Sequence, residues 1–495
     1  MVAINTHSLP HPKHRVCPSG RGVGGPSKMP LPARVLSDNS YTVPGKLLFR
    51  ELTFEVPLDH GNPESTSIQL FGRVVTHHDG GASSNPGEEK PWLAYLEGGP
   101  GFGNGHPQDN PLVKENLHQS YRILFLDYRG TGLSTPVSAA TIPGDSTDDK
   151  VAYLSHFRQD NIVKDLESVR LSLTEKDHLK KWSILGQSFG GFVSHTYLSF
   201  YPDGLREVFL TGGLAPVNVP PEEVYKATFK KVMERNIAYY RKFPEDIMTV
   251  HYIASHIQQQ GENEKGGIKL PSGGYLTVPR FLTLGLAFGR HEGIHRTHAF
   301  LTKMKLEIAQ FGRLTRSTLA AIEQDNPLDS NPIYAILHEA IYCYGPGIAS
   351  NWAAFRVGSK LEPFYWLTDD YAGPIRPSAN EPPAPLFFSG EMMFPFHFDT
   401  YPELMSLREV AHKLAEKDDW PRLYDEEQLA RNEVPVFAAN YVDDMYVDFE
   451  LARSTAAKVR GVRVHETNAF YHNALRVRSG EIISALLKLR DDPIE

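Results

Sequence analysis

Six residues, Gly186-Gln-Ser-Phe-Gly-Gly191, stand between a short apolar run, Trp182-Ser-Ile-Leu185, and a stretch from Phe192 to Phe200 that can form a helix. A turn this tight, from a buried strand straight into a helix, tolerates only small neighbours, and Gly186, Gly190 and Gly191 meet that demand. The same alternation recurs along the chain. Pro91-Trp-Leu-Ala-Tyr-Leu96 reads as a strand stopped by Gly98-Gly-Pro-Gly101. Tyr121-Arg-Ile-Leu-Phe-Leu126, nearly all apolar, suits a strand buried on both faces. Ile162, Leu166, Val169 and Leu173 recur at helical spacing, with Asp160 at the expected N-cap. Glu207-Val-Phe-Leu-Thr211 is the next strand. Strand, loop and helix in repetition imply parallel strands joined by crossover helices, the α/β class.

Two further strands, Lys46 to Val56 and Ile68 to Val75, precede this block and read as an antiparallel pair; a polar linker, 79–90, follows them. From about Pro216 to Asn432 helical periodicity dominates, as in Val224, Phe229, Val232, Ile237 and Tyr240. The alternation then resumes with a strand at Val434 to Asn440, a helix from Phe449 to Val459, a strand around Val462 to Glu466 and a last helix near 480–490. The expected organisation is a tail over 1–40, a core in two parts, 41–215 and 433–495, and a helical insertion over 216–432.

A chain of 495 residues with 41% apolar and 22% charged residues has ample material for a core. The net charge of −8 supplies no basic footprint, which argues against nucleic acid or an anionic membrane as the main partner. No apolar run approaches the roughly 18 residues of a membrane span. Two cysteines, Cys17 and Cys343, give no disulfide framework or cysteine metal site, so a reducing, cytoplasmic setting is expected. The first 37 residues lack Asp and Glu and are rich in Pro, Gly and Ser, a composition that favours disorder over a targeting helix.

Gly186-Gln-Ser-Phe-Gly190 matches the G-x-S-x-G pattern in the strand-to-helix context that the pattern requires, which makes Ser188 a candidate nucleophile. A serine hydroxyl needs a general base, and the base needs an acid to hold its tautomer. With such a turn the chain order is Ser, acid, His. The loop after the resumed strand, Tyr441-Val-Asp-Asp-Met445, offers Asp444, with Asp443 and Asp448 as competitors. The base is expected at His472, in the loop after the last strand; His465 falls inside that strand and reads as structural. The amides of Gly99 and Phe189 are placed to face a developing oxyanion, and the spacing around Gly98 fits neither phosphate-loop pattern. This chemistry calls for no cofactor and no metal.

Together, Gly98-Gly-Pro-Gly101, Asp127-Tyr-Arg-Gly-Thr-Gly-Leu-Ser134, Gly186-Gln-Ser-Phe-Gly-Gly191 and Asp443-Asp-Met-Tyr446 resemble the proline iminopeptidase family of α/β-hydrolases, over roughly residues 45 to 490. The chain departs from the family at Glu97, where His usually precedes the Gly-Gly-Pro-Gly run. The resemblance implies an α/β-hydrolase fold whose helical insertion caps the site, and a family acid that precedes Met, which selects Asp444. It also implies release of an N-terminal residue, preferably proline, from a small peptide or amino-acid amide, with cap carboxylates receiving the free amine. Glu339 and Glu391, each set in an aromatic and apolar stretch, are the candidates. Two other functions share these residues: hydrolysis of an ester or non-proline amide, and a catalytically silent binding module. The sequence leaves the oligomeric state open.

Overall fold

The computed structural model describes residues 29–78, 90–261, 267–368 and 383–492. Most of the expected tail, 1–28, and nearly all of the expected linker, 79–89, lie outside the described residues. Eleven strands are found among those described: β1 Arg34–Val43, β2 Leu47–Pro57, β3 Ser67–His77, β4 Trp92–Leu96, β5 Arg122–Leu126, β6 Trp182–Gln187, β7 Leu205–Thr211, β8 Gly267–Lys269, β9 Tyr275–Thr277, β10 Val436–Tyr441 and β11 Val462–Thr467. Nine of them form one sheet in the order β1-β2-β3-β5-β4-β6-β7-β10-β11. β1 to β3 and the β3–β5 junction are antiparallel, and from β5 to β11 every pairing is parallel.

The apolar runs of the central strands follow from helices covering both faces. Side chains alternate faces along a strand. On one face Leu93, Tyr95, Ile123, Phe125, Leu185, Phe209 and Phe437 pack with Leu475, Ile482, Ile483 and Leu486 from the C-terminal helices. On the other, Ala94, Leu96, Leu124, Ile184, Val208, Leu210 and Ala438 join Ile162, Leu166 and Val169 of the helix Gln159–Leu173. Each fully buried Leu or Ile contributes about 1.5–3 kcal/mol. A one-residue slip would send every side chain to the wrong layer, which fixes the register.

Two local expectations require correction. Residues 34–40, assigned to the tail, belong to β1, which pairs with β2 from Arg34↔Glu55 to Val43↔Leu47. Its side chains are almost all exposed on both faces, so no hydrophobic period marks it; backbone pairing and the Arg50–Asp38 and Arg34–Glu55 ion pairs hold it instead. Asp160 is not the N-cap of its helix. Arg158 occupies that position, and Asp160, inside the first turn, pairs with the Arg158 Nε at 2.9 Å. A carboxylate is also favoured there, because first-turn amides lack helical partners.

Between β7 and β10 the described residues are mainly helical, including Pro221–Lys242, Asp246–Gln259 and Gly293–Phe311, with the β8–β9 hairpin as the exception. One apolar cluster runs without a break from the sheet residues Val208 and Leu210 into Val224, Phe229 and Val232 of the helix Pro221–Lys242. No described helix is long and apolar enough to cross a membrane.

Candidate active site

Ser188 follows the last residue of β6 and precedes the helix Phe189–Phe200, with φ 55° and ψ −121°. A non-glycine residue in this region costs about 1–3 kcal/mol and persists only where its surroundings enforce it. Here the turn is held by close backbone approach. A Cβ on Gly190 would stand 2.0 Å from the Leu96 carbonyl oxygen, and one on Gly191 would stand 2.1 Å from that of Gly213. The Ser188 amide donates to the Thr211 carbonyl at 3.0 Å, which ties the turn to the end of β7.

Three parallel strand ends then bring three distant residues together. Asp444 follows β10, His472 lies in the loop beyond β11, and Ser188 follows β6. The His472 Nε2 is 2.8 Å from the Ser188 Oγ, and its Nδ1 is 2.8 Å from the Asp444 Oδ2. The other Asp444 oxygen accepts from the amides of Tyr446 and Val447 at 2.8 and 3.0 Å. With Asp444 as acceptor, the imidazole proton resides on Nδ1 and leaves Nε2 free to accept from the serine hydroxyl. Burial works against the imidazolium, but the Asp444 carboxylate, through its charge and hydrogen bond, outweighs it with help from Glu391. The His472 pKa is raised above 6.5. The Tyr446 ring packs against the imidazole at 4.6 Å.

The competing aspartates are occupied elsewhere. Asp448 caps the helix Phe449–Lys458 through the amides of Glu450 and Leu451, and Asp443 is 43% exposed beside Lys231. His465 lies within β11, opposite Ala439.

The loop after β4 closes over the same point. The Gly98 amide is taken by the Glu97 carboxylate at 2.7 Å, whereas Gly99 lines the cavity above Ser188. Phe189 is the first residue of its helix, so its amide has no intrahelical acceptor. Asp127 fastens this loop from below: its Oδ1 accepts from the Asn104 amide at 2.7 Å and its Oδ2 from the Leu133 amide at 2.9 Å. Arg129, in the same motif, is buried against Asp165 at 2.6 Å and also donates to the Leu58 and His156 carbonyls. Glu97, the departure from the family pattern, is buried and receives the Arg476 guanidinium at 2.6 Å.

The cavity above Ser188 has a volume of ≈ 580 Å³. Glu391 lines it and accepts from the Tyr334 hydroxyl at 2.7 Å. Glu339 is not among the lining residues. Its oxygens accept from the Ala353 and Ala354 amides at 3.2 and 2.9 Å, at the start of the helix Ala353–Gly358, and burial pushes its pKa up to about 7. That correction separates two glutamates whose sequence settings look alike. The sequence reading missed Arg290, Arg296, Asp325, Tyr334 and Arg476, all of which line the cavity. Only Tyr446, inside the Asp443-Asp-Met-Tyr446 run, carried a signal in a quoted motif. A larger groove, ≈ 650 Å³, lies under β1 around Met29, Leu31 and Val56 and contains none of this chemistry.

The model of the alpha/beta hydrolase fold family matches residues 91–248. A proline iminopeptidase of Aeromonas sobria is 41% identical over 442 residues, covering 89% of this chain and 96% of that protein. The proline iminopeptidase aneH of Aspergillus aculeatus is 38% identical over 467 residues, covering 94% and 98%. With such identity along nearly the whole of both relatives, the chain belongs to the proline iminopeptidase family of α/β-hydrolases.

Proposed function

We propose that this protein is a serine aminopeptidase that releases an N-terminal residue, preferably proline, from small peptides through an acyl-enzyme. The observation that carries this reading is the pair of 2.8 Å hydrogen bonds linking Ser188, His472 and Asp444 at the floor of a cavity that also contains Glu391. Glu391 receives the substrate's free α-amine, because an ammonium leaving water needs a charged partner. That contact limits cleavage to the first peptide bond. The relatives' names supply the preference for proline.

The Ser188 Oγ attacks the carbonyl carbon of the N-terminal residue while its proton passes to the His472 Nε2. The Gly99 and Phe189 amides donate to the oxyanion, a contribution of several kcal/mol to the transition state. Collapse breaks the C–N bond, and the proton on Nε2 moves to the departing amine. Water, activated by the same imidazole, then attacks the Ser188 ester, releases the amino acid and restores the hydroxyl. Asp444 holds the tautomer and stabilises the imidazolium throughout. No step in this sequence requires a cofactor.

Cytoplasmic residence fits this reading: Cys343, the one cysteine among the described residues, is a buried free thiol. Purified protein should hydrolyse a prolyl-arylamide faster than alanyl- and leucyl-arylamides or short acyl esters, and a fluorophosphonate should label Ser188. Full prolyl-arylamide turnover by Ser188→Ala would refute the mechanism.

A further inference from the structure

Besides His472, six acidic or basic side chains line the cavity: Glu97, Asp325, Glu391, Arg290, Arg296 and Arg476. Four of them balance in pairs. Arg476 meets Glu97 at 2.6 Å. Burial raises the pKa of Asp325, and the charge of Arg290 opposes that shift, so these two sit within electrostatic reach of each other. The remaining two, Glu391 and Arg296, have opposite signs. Glu391 has a tyrosine hydroxyl as its partner and no cation at ion-pair distance among the described residues. Among the described residues Arg296 pairs only with Glu292, one helical turn back at 3.5 Å, in an ion pair whose arginine side chain is 77% exposed. Exposed pairs of this kind contribute little, so the guanidinium is readily drawn to a better acceptor.

A cavity with one uncompensated carboxylate and one uncompensated guanidinium complements a molecule with charges at both ends. Glu391 stands near enough to His472 for its charge to be felt there, which puts the anionic group at the reacting end. Arg296 stands at the start of the helix Gly293–Phe311 with its side chain largely in solvent, which puts the cationic group at the outer end of the cavity. Arg476 adds to it: one Nη donates to Glu97, and a side chain 55% exposed keeps other N–H groups available. A guanidinium fork matches a carboxylate in shape as well as charge. A volume of ≈ 580 Å³ falls in the range that encloses a small ligand, which corresponds to a di- or tripeptide with both termini inside.

We propose that Arg296, assisted by Arg476, forms a carboxylate subsite that binds the free C-terminus of a short zwitterionic peptide, making di- and tripeptides the substrate class. This rests on the aminopeptidase reading, with the amine at Glu391. The subsite adds a second charged anchor that a longer peptide, whose C-terminus lies outside the cavity, cannot use.

The test compares kcat/KM for prolyl-alanine with a free C-terminus, the same dipeptide as its C-terminal amide, and a prolyl-arylamide. In the wild type the free acid should exceed the amide about tenfold, the effect of one charge-assisted contact. Arg296→Glu should bring that ratio to one or below, and Arg476→Gln should reduce it in part. Because the ratio is taken within each variant, a loss of folded protein does not alter it. Equal values for acid and amide in the wild type, or a preference that survives Arg296→Glu, would overturn the subsite while prolyl-arylamide turnover still upheld the aminopeptidase. Failure to cleave any of the three substrates overturns both.

Discussion

The Glu97 carboxylate joins two segments of the site at once: one oxygen accepts from its own neighbour's amide, Gly98, and from the guanidinium of Arg476, four residues beyond His472. The loop bearing Gly99 and the segment bearing His472 are thereby fastened to a single buried group. Glu97→Gln keeps the shape and loses the charge, so kcat should fall about tenfold with little change in KM, since the defect lies in alignment of the transition state. Steady-state kinetics on a prolyl-arylamide provide the check, and an unchanged kcat would remove Glu97 from the positioning network.

Replacing Ser188 should separate stability from turnover. Its φ of 55° is one that glycine adopts without cost, so Ser188→Gly relieves backbone strain. The variant should be inactive and more stable than wild type by about 1 kcal/mol in denaturant titration. Ser188→Ala should be equally inactive without that gain, and similar midpoints for the two variants would count against strain at this turn.

Glu391 contributes to the raised pKa of His472, after the larger effects of burial, which opposes the shift, and of Asp444. The imidazole must be neutral to accept the serine proton, so activity is lost as pH falls through its pKa. Removing a nearby negative charge lowers that pKa. Glu391→Gln should therefore move the acidic limb of the kcat/KM profile to lower pH, besides raising KM through loss of the amine contact. A limb that stays in place or moves upward would contradict this arrangement.

For Glu339 the linkage has the opposite sense from most carboxylates. Its pKa rises from 4.5 to about 7 on folding, chiefly through burial. The native state thus retains a proton that the unfolded chain releases between these values, and its contribution to stability is full below 4.5 and declines as pH rises toward 7. Glu339→Leu strips the Ala353 and Ala354 amides of their acceptor, at a cost of about 1–3 kcal/mol for each buried group left unpaired. The stability deficit of this variant should be largest near pH 4.5 and should narrow up to about pH 7, a trend that chemical denaturation across that range would measure.

Much of this architecture was legible because it obeys simple periods. The strands around Leu96, Leu126, Leu185 and Phe437 are mostly apolar and almost wholly buried, since helices cover both faces, and the glycines flanking Ser188 are forced by approaches near 2 Å. β1 was hidden for the converse reason: an edge strand exposed on both sides has no buried face to impose a pattern. Glu339 and Glu391 could not be told apart, because both lie among aromatic residues, and what separates them is whether backbone amides or open space face the carboxylate. Arg290 follows the short helical segment Thr283–Gly289 and Asp325 ends the helix Arg316–Asp325, and only the folded chain brings their charges within reach of each other.

The departure of the chain from the sheet at Thr211 and its return at Val436 has a consequence for how such proteins diversify. β7 and β10 are immediate neighbours, paired in parallel from Val208↔Val436 to Thr211↔Ala439, so everything between them is a single crossover that leaves at the carboxyl end of one strand and returns at the amino end of the next. Because loop length adds only slowly to the entropy of closing such a connection, this stretch can lengthen, shorten or be rebuilt with little effect on the pairing of the strands beneath it. Ser188, Asp444 and His472 all lie just beyond the ends of sheet strands, β6, β10 and β11, whereas Glu391, Arg290 and Arg296 all come from the excursion. On the proposed mechanism, the reacting groups and the groups that would choose what reaches them are therefore on separately inheritable parts of one chain, and new preferences can arise without re-inventing the chemistry.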